Sequence, residues 1–395
     1  MSYQVIARKY RPRTFADITA QEHITRTIQN SLRMDRLGHG YIFSGLRGVG
    51  KTTAARVFAK AVNCERIIGD DEYRKTVTEP CGECESCRDF ETGTSLNIAE
   101  FDAASNNSVD DIRTLRENVR YGPQKGRYRV YIIDEVHMLS IAAFNAFLKT
   151  LEEPPPHAIF IFATTELHKI PATIASRCQR FNFKRIPLAE IQEQLQMICN
   201  AESVPVEPDA LQLIGRKAQG SMRDAQSILD QVIAFSVDHL SGSSISYAKV
   251  AELLNYIDDD HFFAVTDAVL AADPSAMVAV AQFVIENGYD EQDFLEKLIE
   301  HMRNILMVQN LRSPRLVERP DAVRERYKQQ AASFSSRTVM QMTDLLLQTS
   351  RELKFQFEYR FRFELALLKL IEIAAEGPVQ GAAPDPQKKK PALNR

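Results

Sequence analysis

Gly45-Leu46-Arg47-Gly48-Val49-Gly50-Lys51-Thr52 matches the phosphate-binding pattern G-x-x-x-x-G-K-[ST] at every specified position. Glycines there let successive backbone N–H groups turn inward around phosphate oxygens. The N-terminus of the helix that follows, opening through Thr53, adds partial positive charge. Lys51 is placed to reach β- and γ-phosphates, and Thr52 to ligate Mg²⁺. A second signal is the apolar run Val130-Tyr131-Ile132-Ile133 ending in Asp134-Glu135. Two adjacent acids repel unless a cation sits beside them, so Asp134 is expected to hold Mg²⁺ through water and Glu135 to polarise an attacking water. A third apolar run ends in Thr164-Thr165-Glu166. Thr165 there could bond a γ-phosphate or lytic water, or simply cap a turn.

Cys64, Cys81, Cys84 and Cys87 form C-x16-C-x2-C-x2-C, a four-thiolate spacing suited to tetrahedral Zn²⁺. Four cysteine ligands leave no open position, so a structural rather than catalytic metal is expected. Iron–sulfur ligation and free thiols are the competing readings. Cys178 and Cys199 stand apart as simple buried thiols.

These residues need elements to carry them. Strands are expected at 41–44, 97–102, 129–134, 158–164 and 180–183, alternating with helical patterns. That alternation implies a parallel α/β sheet with ligands at the carboxyl ends of its strands. Residues 188–250 read as short helices and 251–376 as purely helical. Within the latter, residues 353–363 alternate apolar and polar as a strand would. An i, i+4 row of Leu353, Phe357, Phe361 and Leu365 argues for helix instead. Residues 377–395, rich in Pro, Gly, Ala and Lys, are expected to be disordered.

A chain of 395 residues implies two or three domains. The net charge of −3 hides a basic start, with eleven Lys/Arg against three Asp/Glu in residues 1–60. That bias suits nucleotide or DNA phosphates as well as an ordinary solvated surface. No apolar run approaches the length of about eighteen residues needed to span a bilayer, and residues 1–4 open no signal peptide. A cytoplasmic location follows as the default expectation, and with it cysteines that are not a disulfide framework.

The phosphate loop, Asp134-Glu135, Ala163-Thr164-Thr165-Glu166 and Ser176-Arg177-Cys178 together resemble the clamp-loader group of AAA+ ATPases. The four-cysteine module after the phosphate-loop helix, with His137-Met138-Leu139-Ser140 and the stretch from Asn145 to Pro155, narrows the likeness to the bacterial DNA polymerase III clamp loaders. The resemblance is dense over 5–235 and weak over 251–376. It implies a AAA+ domain at 1–187 with a zinc module at about 64–90, a helical lid at 188–250, a helical collar at 251–376 and a tail or linker at 377–395. It makes Arg177 an arginine finger for the neighbouring subunit's γ-phosphate, so the site is complete only in an oligomer. Arg223, in Gly220-Ser221-Met222-Arg223, would contact phosphates from the lid. Tyr10 and Pro12 would offer apolar surface to adenine, with Gln21 capping the pocket. Ser105, Asn106, Asn107, Arg113 and Ser140 would track DNA phosphates, although helix capping also accounts for Ser105 and Ser140.

The function so implied is an ATP-driven motor subunit of the replicative clamp loader, using ATP, Mg²⁺ and Zn²⁺. Its implied partners are the other loader subunits in a pentameric hetero-oligomer, the sliding clamp and primed DNA. A longer natural chain would add the polymerase core and the replicative helicase. Two rival readings are a non-hydrolysing structural loader subunit and another AAA+ DNA machine such as a Holliday-junction helicase. Intact phosphate-loop and acid motifs weigh against the first, and the cysteines and Ser-Arg-Cys against the second.

Overall fold

The computed structural model describes residues 4–105, 114–115, 117–236, 244–311, 321–353 and 359–375. Asn106, Asn107, Arg113 and the 377–395 tail lie outside the described residues. The chain divides into two compact units, Met1–Leu253 and Leu254–Arg395.

The first unit is built on a parallel five-stranded sheet: β1 (Gly40–Ser44), β2 (Ile98–Asp102), β3 (Arg129–Asp134), β4 (Ala158–Thr164) and β5 (Gln179–Asn182), in the order β2-β3-β4-β1-β5. β3 and β4 fall where the sequence places them. β1 starts one residue earlier than expected, β2 one later, and β5 is shifted back by one. Phe183, expected inside β5, still donates its N–H to Ser44 O at 2.7 Å.

β1 and β4 are buried on both faces, which is why they read as unbroken apolar runs. Successive side chains nonetheless go to opposite cores. Phe43, Ile132 and Ile161 pack with Phe58 and Val62 of the phosphate-loop helix Lys51–Val62. Ile42, Ile133, Phe160 and Phe162 pack with Phe144 and Phe147 of helix Ile141–Glu152 on the other side. Register pairs Ser44 with Thr164, Ile133 with Phe162 and Asp102 with Asp134. The carboxyl ends of β1, β3 and β4 therefore finish side by side, and the three polar motifs leave the sheet along one edge.

Asn63 ties the far ends of two site-bearing elements together. It lies fully buried just after the phosphate-loop helix. Its amide donates to Tyr128 O at 2.8 Å and accepts from Arg127 N and Tyr128 N at 3.1 and 2.9 Å. Those residues feed directly into β3. After the sheet come helices Leu188–Glu202, Pro208–Lys217, Met222–Ser236 and Tyr247–Leu253.

The second unit consists, among the described residues, of helices from Asp259–Ala271 to Tyr359–Ala375 around a core that includes Phe263, Phe294, Leu298, Met302, Leu346, Phe363 and Leu367. The period-two stretch enters helix at Tyr359, as the i, i+4 argument requires. The i, i+4 row is not the buried face of that helix. Phe363, Leu367 and Leu370 are buried, while Phe361 of the expected row is 63% exposed. Residues 354–358, which hold Phe357, lie outside the description.

Candidate functional site

The phosphate loop leaves β1 at Ser44 and enters its helix at Lys51. Gly45 N donates to Thr164 O at 3.3 Å, continuing the β1–β4 pairing into the loop. Gly48 and Gly50 hold φ of +77° and +101°, a region costly for residues with a Cβ. At Gly48 there is a second constraint, because an added Cβ would lie 2.0 Å from Ser221 Oγ and 3.2 Å from Arg223 Cβ. Arg223 N lies over the loop as well, donating to Gly48 O at 3.4 Å. The lid thus rests on the loop through backbone and glycine contact, with the Arg223 side chain exposed beside it.

Lys51 is buried, at 5% exposed, and donates to Gly45 O and Leu46 O at 2.9 and 2.7 Å. Loss of water pulls its pKa below the ordinary lysine value, against the opposing pull of Glu135 and then Asp134. Thr52 Oγ1 donates to Asp134 Oδ2 at 2.8 Å, so the two expected magnesium ligands already touch. Asp134 Oδ1 accepts from Glu135 N at 2.9 Å.

Glu135 adopts φ of +45°, uncommon for a non-glycine residue. That turn directs its carboxylate to Thr165, whose hydroxyl donates to Glu135 Oε2 at 3.3 Å. His137, which sequence reasoning had not assigned to the site, reaches the same carboxylate. Its Nδ1 is 3.3 Å from Glu135 Oε2 and 3.1 Å from Thr164 Oγ1, and its Nε2 is 3.4 Å from Glu166 Oε1. The available signal was a histidine two positions after an acid pair. Arg11 was missed too. Its pKa is lowered first by desolvation, then by Arg56 and Arg223, with Glu100 and Asp134 opposing.

Tyr10 is half-buried and donates its hydroxyl to Glu202, and its pKa is pushed up to about 12 by burial and then by that carboxylate. Pro12 is half-buried nearby in sequence. Gln21 is not free to cap a base. It is fully buried, donating from Nε2 to Lys184 O at 2.8 Å and accepting from Lys184 N at 3.2 Å. Its amide is a bidentate clamp on the chain leaving β5, which corrects the expectation from sequence.

Arg177 lies apart from this cluster. Its guanidinium is exposed, held by Glu152 Oε1 and Thr173 O, each at 2.8 Å. Its carbonyl lies beside Gly40, at the amino end of β1. The loop starts at the other end of that strand, about 13 Å away at the usual strand rise. Ser140 is the N-cap of helix Ile141–Glu152, accepting from Ala143 N at 3.2 Å, and Ser105 donates to Asp102 Oδ2 at 3.3 Å. The Ser140 contact is a helix cap, and that of Ser105 is a local side-chain bond.

The sulfur atoms of Cys64, Cys81, Cys84 and Cys87 lie within 4.8 Å of one another. A tetrahedral zinc–thiolate site with bonds of about 2.3 Å sets sulfurs about 3.8 Å apart, so the donor set and spacing fit that ion. Cys81 N donates to Cys64 Sγ at 3.4 Å and Cys84 N to Cys81 Sγ at 3.3 Å, bonds that favour thiolate. Cys64 is held below the ordinary thiol range, chiefly by its Cys87 hydrogen bond, and that bond pushes Cys87 up. Four thiols this close cannot all ionise without a cation among them. Cys178 and Cys199 lie outside the cluster, and burial raises both thiols to about 11.

A parallel sheet in the order 2-3-4-1-5, a phosphate loop after β1, an acid pair after β3 and a helical lid over the loop define a P-loop nucleotide-binding module of the AAA+ type. Family models match along the chain: DNA polymerase III, delta subunit, at residues 20–187; DNA polymerase III clamp loader subunit, ATPase lid domain, at 190–238; and DNA polymerase III subunits gamma and tau domain III, at 245–383. The chain belongs to the gamma/tau family of DNA polymerase III subunits. It is 41% identical to DNA polymerase III subunit tau of Bacillus subtilis, with 94% of this chain and 64% of that one covered. The Escherichia coli tau subunit is 40% identical, with 98% and 57% covered. DNA polymerase III subunit gamma of Buchnera aphidicola is 36% identical, with 94% and 99% covered. The chain thus spans less than two thirds of either tau relative.

Gly48→Ala combines a disfavoured φ with a collision against the lid. We expect it to weaken binding of a nucleoside triphosphate by about tenfold or more, about 1.4 kcal/mol, in a titration with a fluorescent analogue.

Proposed function

We propose that this chain is an ATP-binding and ATP-hydrolysing motor subunit of the bacterial replicative clamp loader, placing the sliding clamp on primed DNA for the DNA polymerase III holoenzyme. The observation that carries the reading is the convergence of Lys51, the Thr52–Asp134 pair and the Glu135–Thr165 pair along one sheet edge. The loop from Gly45 to Thr53 would cradle the ATP phosphates, and Lys51 would leave its two carbonyls for the β- and γ-phosphates. Thr52 would ligate Mg²⁺ and Asp134 would hold it through water, and the ion would offset phosphate charge. Glu135 would orient and deprotonate the attacking water, and Thr165 would report the γ-phosphate by exchanging its bond to Glu135 for one to phosphate.

Arg223 would bind phosphates from the lid. Tyr10 and Pro12 would border the base. Arg177, on the opposite edge from its own loop, would complete the site of a neighbouring subunit, where its guanidinium stabilises charge on the transferred phosphoryl group. Zn²⁺ on Cys64, Cys81, Cys84 and Cys87 would be structural.

The domain reading is a nucleotide-binding domain at 1–187, a lid at 188–250 and a collar for subunit assembly at 251–376. Partners would be the other loader subunits in a pentamer, the clamp and primed DNA. In relatives with longer chains, the additional length would serve the polymerase core and helicase. No helix among the described residues is long and apolar enough to cross a membrane, and the proposed place of work is the replisome in the cytoplasm. A purely structural subunit would not need the touching Thr52–Asp134 pair.

In the assembled loader, clamp plus primed DNA should stimulate steady-state ATP turnover. Arg177→Ala should lower the stimulated rate about 1,000-fold and Lys51→Ala should abolish it. Turnover indifferent to clamp and DNA would point to a different machine. Metal analysis of protein purified without added zinc should return about one zinc per chain, and a metal-free chain with unchanged folding would refute the metal assignment.

A further inference from the structure

The segment that carries Tyr10, Arg11 and Pro12 is fastened at both ends. Its first fastening is to the lid. Ile6 N donates to Asp230 Oδ2 at 2.8 Å, Lys9 Nζ pairs with Glu202 Oε1 at 2.5 Å, and Tyr10 donates to the same carboxylate. Its second fastening is to the cysteine excursion. Glu79, two residues before Cys81, accepts from Phe15 N at 2.7 Å. Its other oxygen accepts from Gln29 Nε2 at 2.9 Å. Phe15 is sunk into the core at 2% exposed, and Asp17 Oδ2 gathers Arg13 N and Thr14 N at 3.1 and 3.0 Å. The strap cannot shift at this end without losing those bonds.

Glu79 is itself held. Tyr73 donates its hydroxyl to Glu79 O at 3.1 Å, and the fully buried Thr78 takes φ of +55°, accepts from Arg33 Nε at 2.8 Å and donates to Arg74 O at 2.7 Å. The next residues are Pro80 and the ligand Cys81. The strap is thus held at Phe15 by a residue two positions along the chain from Cys81, and at its other end by helix Met222–Ser236, whose Arg223 N donates to Gly48 O of the phosphate loop.

We infer that Glu79 is a positioning residue for nucleotide binding, through which the metal-filled cysteine cluster holds the 10–12 segment in place beside the lid helices that rest on the phosphate loop. This rests on the nucleotide reading proposed above. Two states of the strap are implied: held when the cluster is filled, and released at its 13–18 end when it is not.

The test combines Glu79→Ala and Glu79→Gln in the full chain with zinc removal by a chelator. Binding of a fluorescent ATP analogue, zinc content and amide hydrogen exchange are the readouts. Glu79→Ala should keep about one zinc per chain yet bind the analogue about tenfold more weakly, with faster exchange over residues 13–18. Glu79→Gln should stay near wild type, because its carbonyl can still accept from Phe15 N while the Gln29 amide turns over. Chelation should weaken wild-type binding by a similar factor and add little in Glu79→Ala. Unchanged affinity in zinc-loaded Glu79→Ala would overturn the proposal, as would independent, multiplying losses from chelation and substitution. Wild-type exchange at 13–18 that ignores metal removal would overturn it without any variant. Wild-type protein that binds no analogue at all, while exchange still responds to metal, would instead sink the nucleotide reading and the proposal's link to it.

Discussion

The hydrogen bond from Thr52 to Asp134 joins the first turn of the phosphate-loop helix to the last residue of β3, and the site depends on it. At 2.8 Å it requires the helix and the strand to be level at one end. They are level because β1, β4 and β3 pair in a register that ends them together, and because Asn63 and Tyr128 hold the far end of the helix to the entry of β3. A one-residue slip of β3 would invert every side chain along it, sending Ile133 to the wrong core and Asp134 away from Thr52. Burial on both faces of the sheet penalises that slip heavily. Apolar packing in the two cores therefore fixes the position of two polar atoms at the edge.

From that fixed edge the remaining parts are arranged by charge and reach. Lys51 donates to two loop carbonyls, which satisfy a buried ammonium. Glu135 is turned by its left-handed backbone toward Thr165 and His137, and both contacts compete with its use as a base. A γ-phosphate that takes Thr165 away would release one of them. Arg177 shares no contact with this cluster and sits at the opposite end of β1. In the proposed function a guanidinium there would serve a site only if another subunit brought its own loop to it, and oligomerisation would then be part of the chemistry.

Much of this was legible in the sequence. The five strands read within one residue of their positions because they are apolar runs bounded by polar turns. Lys51, Thr52, Asp134, Glu135 and the four cysteines were visible because their chemistry depends on local spacing. Arg177 and Arg223 came from resemblance alone, since an exposed arginine carries no local mark of its partner. The residues missed or misread share a different trait. His137 meets Glu166, Glu79 meets Phe15, and Gln21 meets the Lys184 backbone 163 residues away. Those pairings arise from the sheet order and the packing of helices on it, which no short window encodes. The choice of buried face on helix Tyr359–Ala375 has the same origin. Its aromatic row offers two apolar stripes, and only neighbouring helices choose Phe363 over Phe361.

The central claim is that the strand-end acids form a hydrolytic site on the phosphate loop. It is tested most directly by Glu135→Gln in the assembled oligomer, following a single turnover of bound ATP while ATP affinity is measured in parallel. Glutamine keeps the shape and the bond from Thr165 but removes the base. The account predicts affinity within about threefold of wild type and hydrolysis slowed by about 100-fold or more. Hydrolysis at the wild-type rate would contradict it.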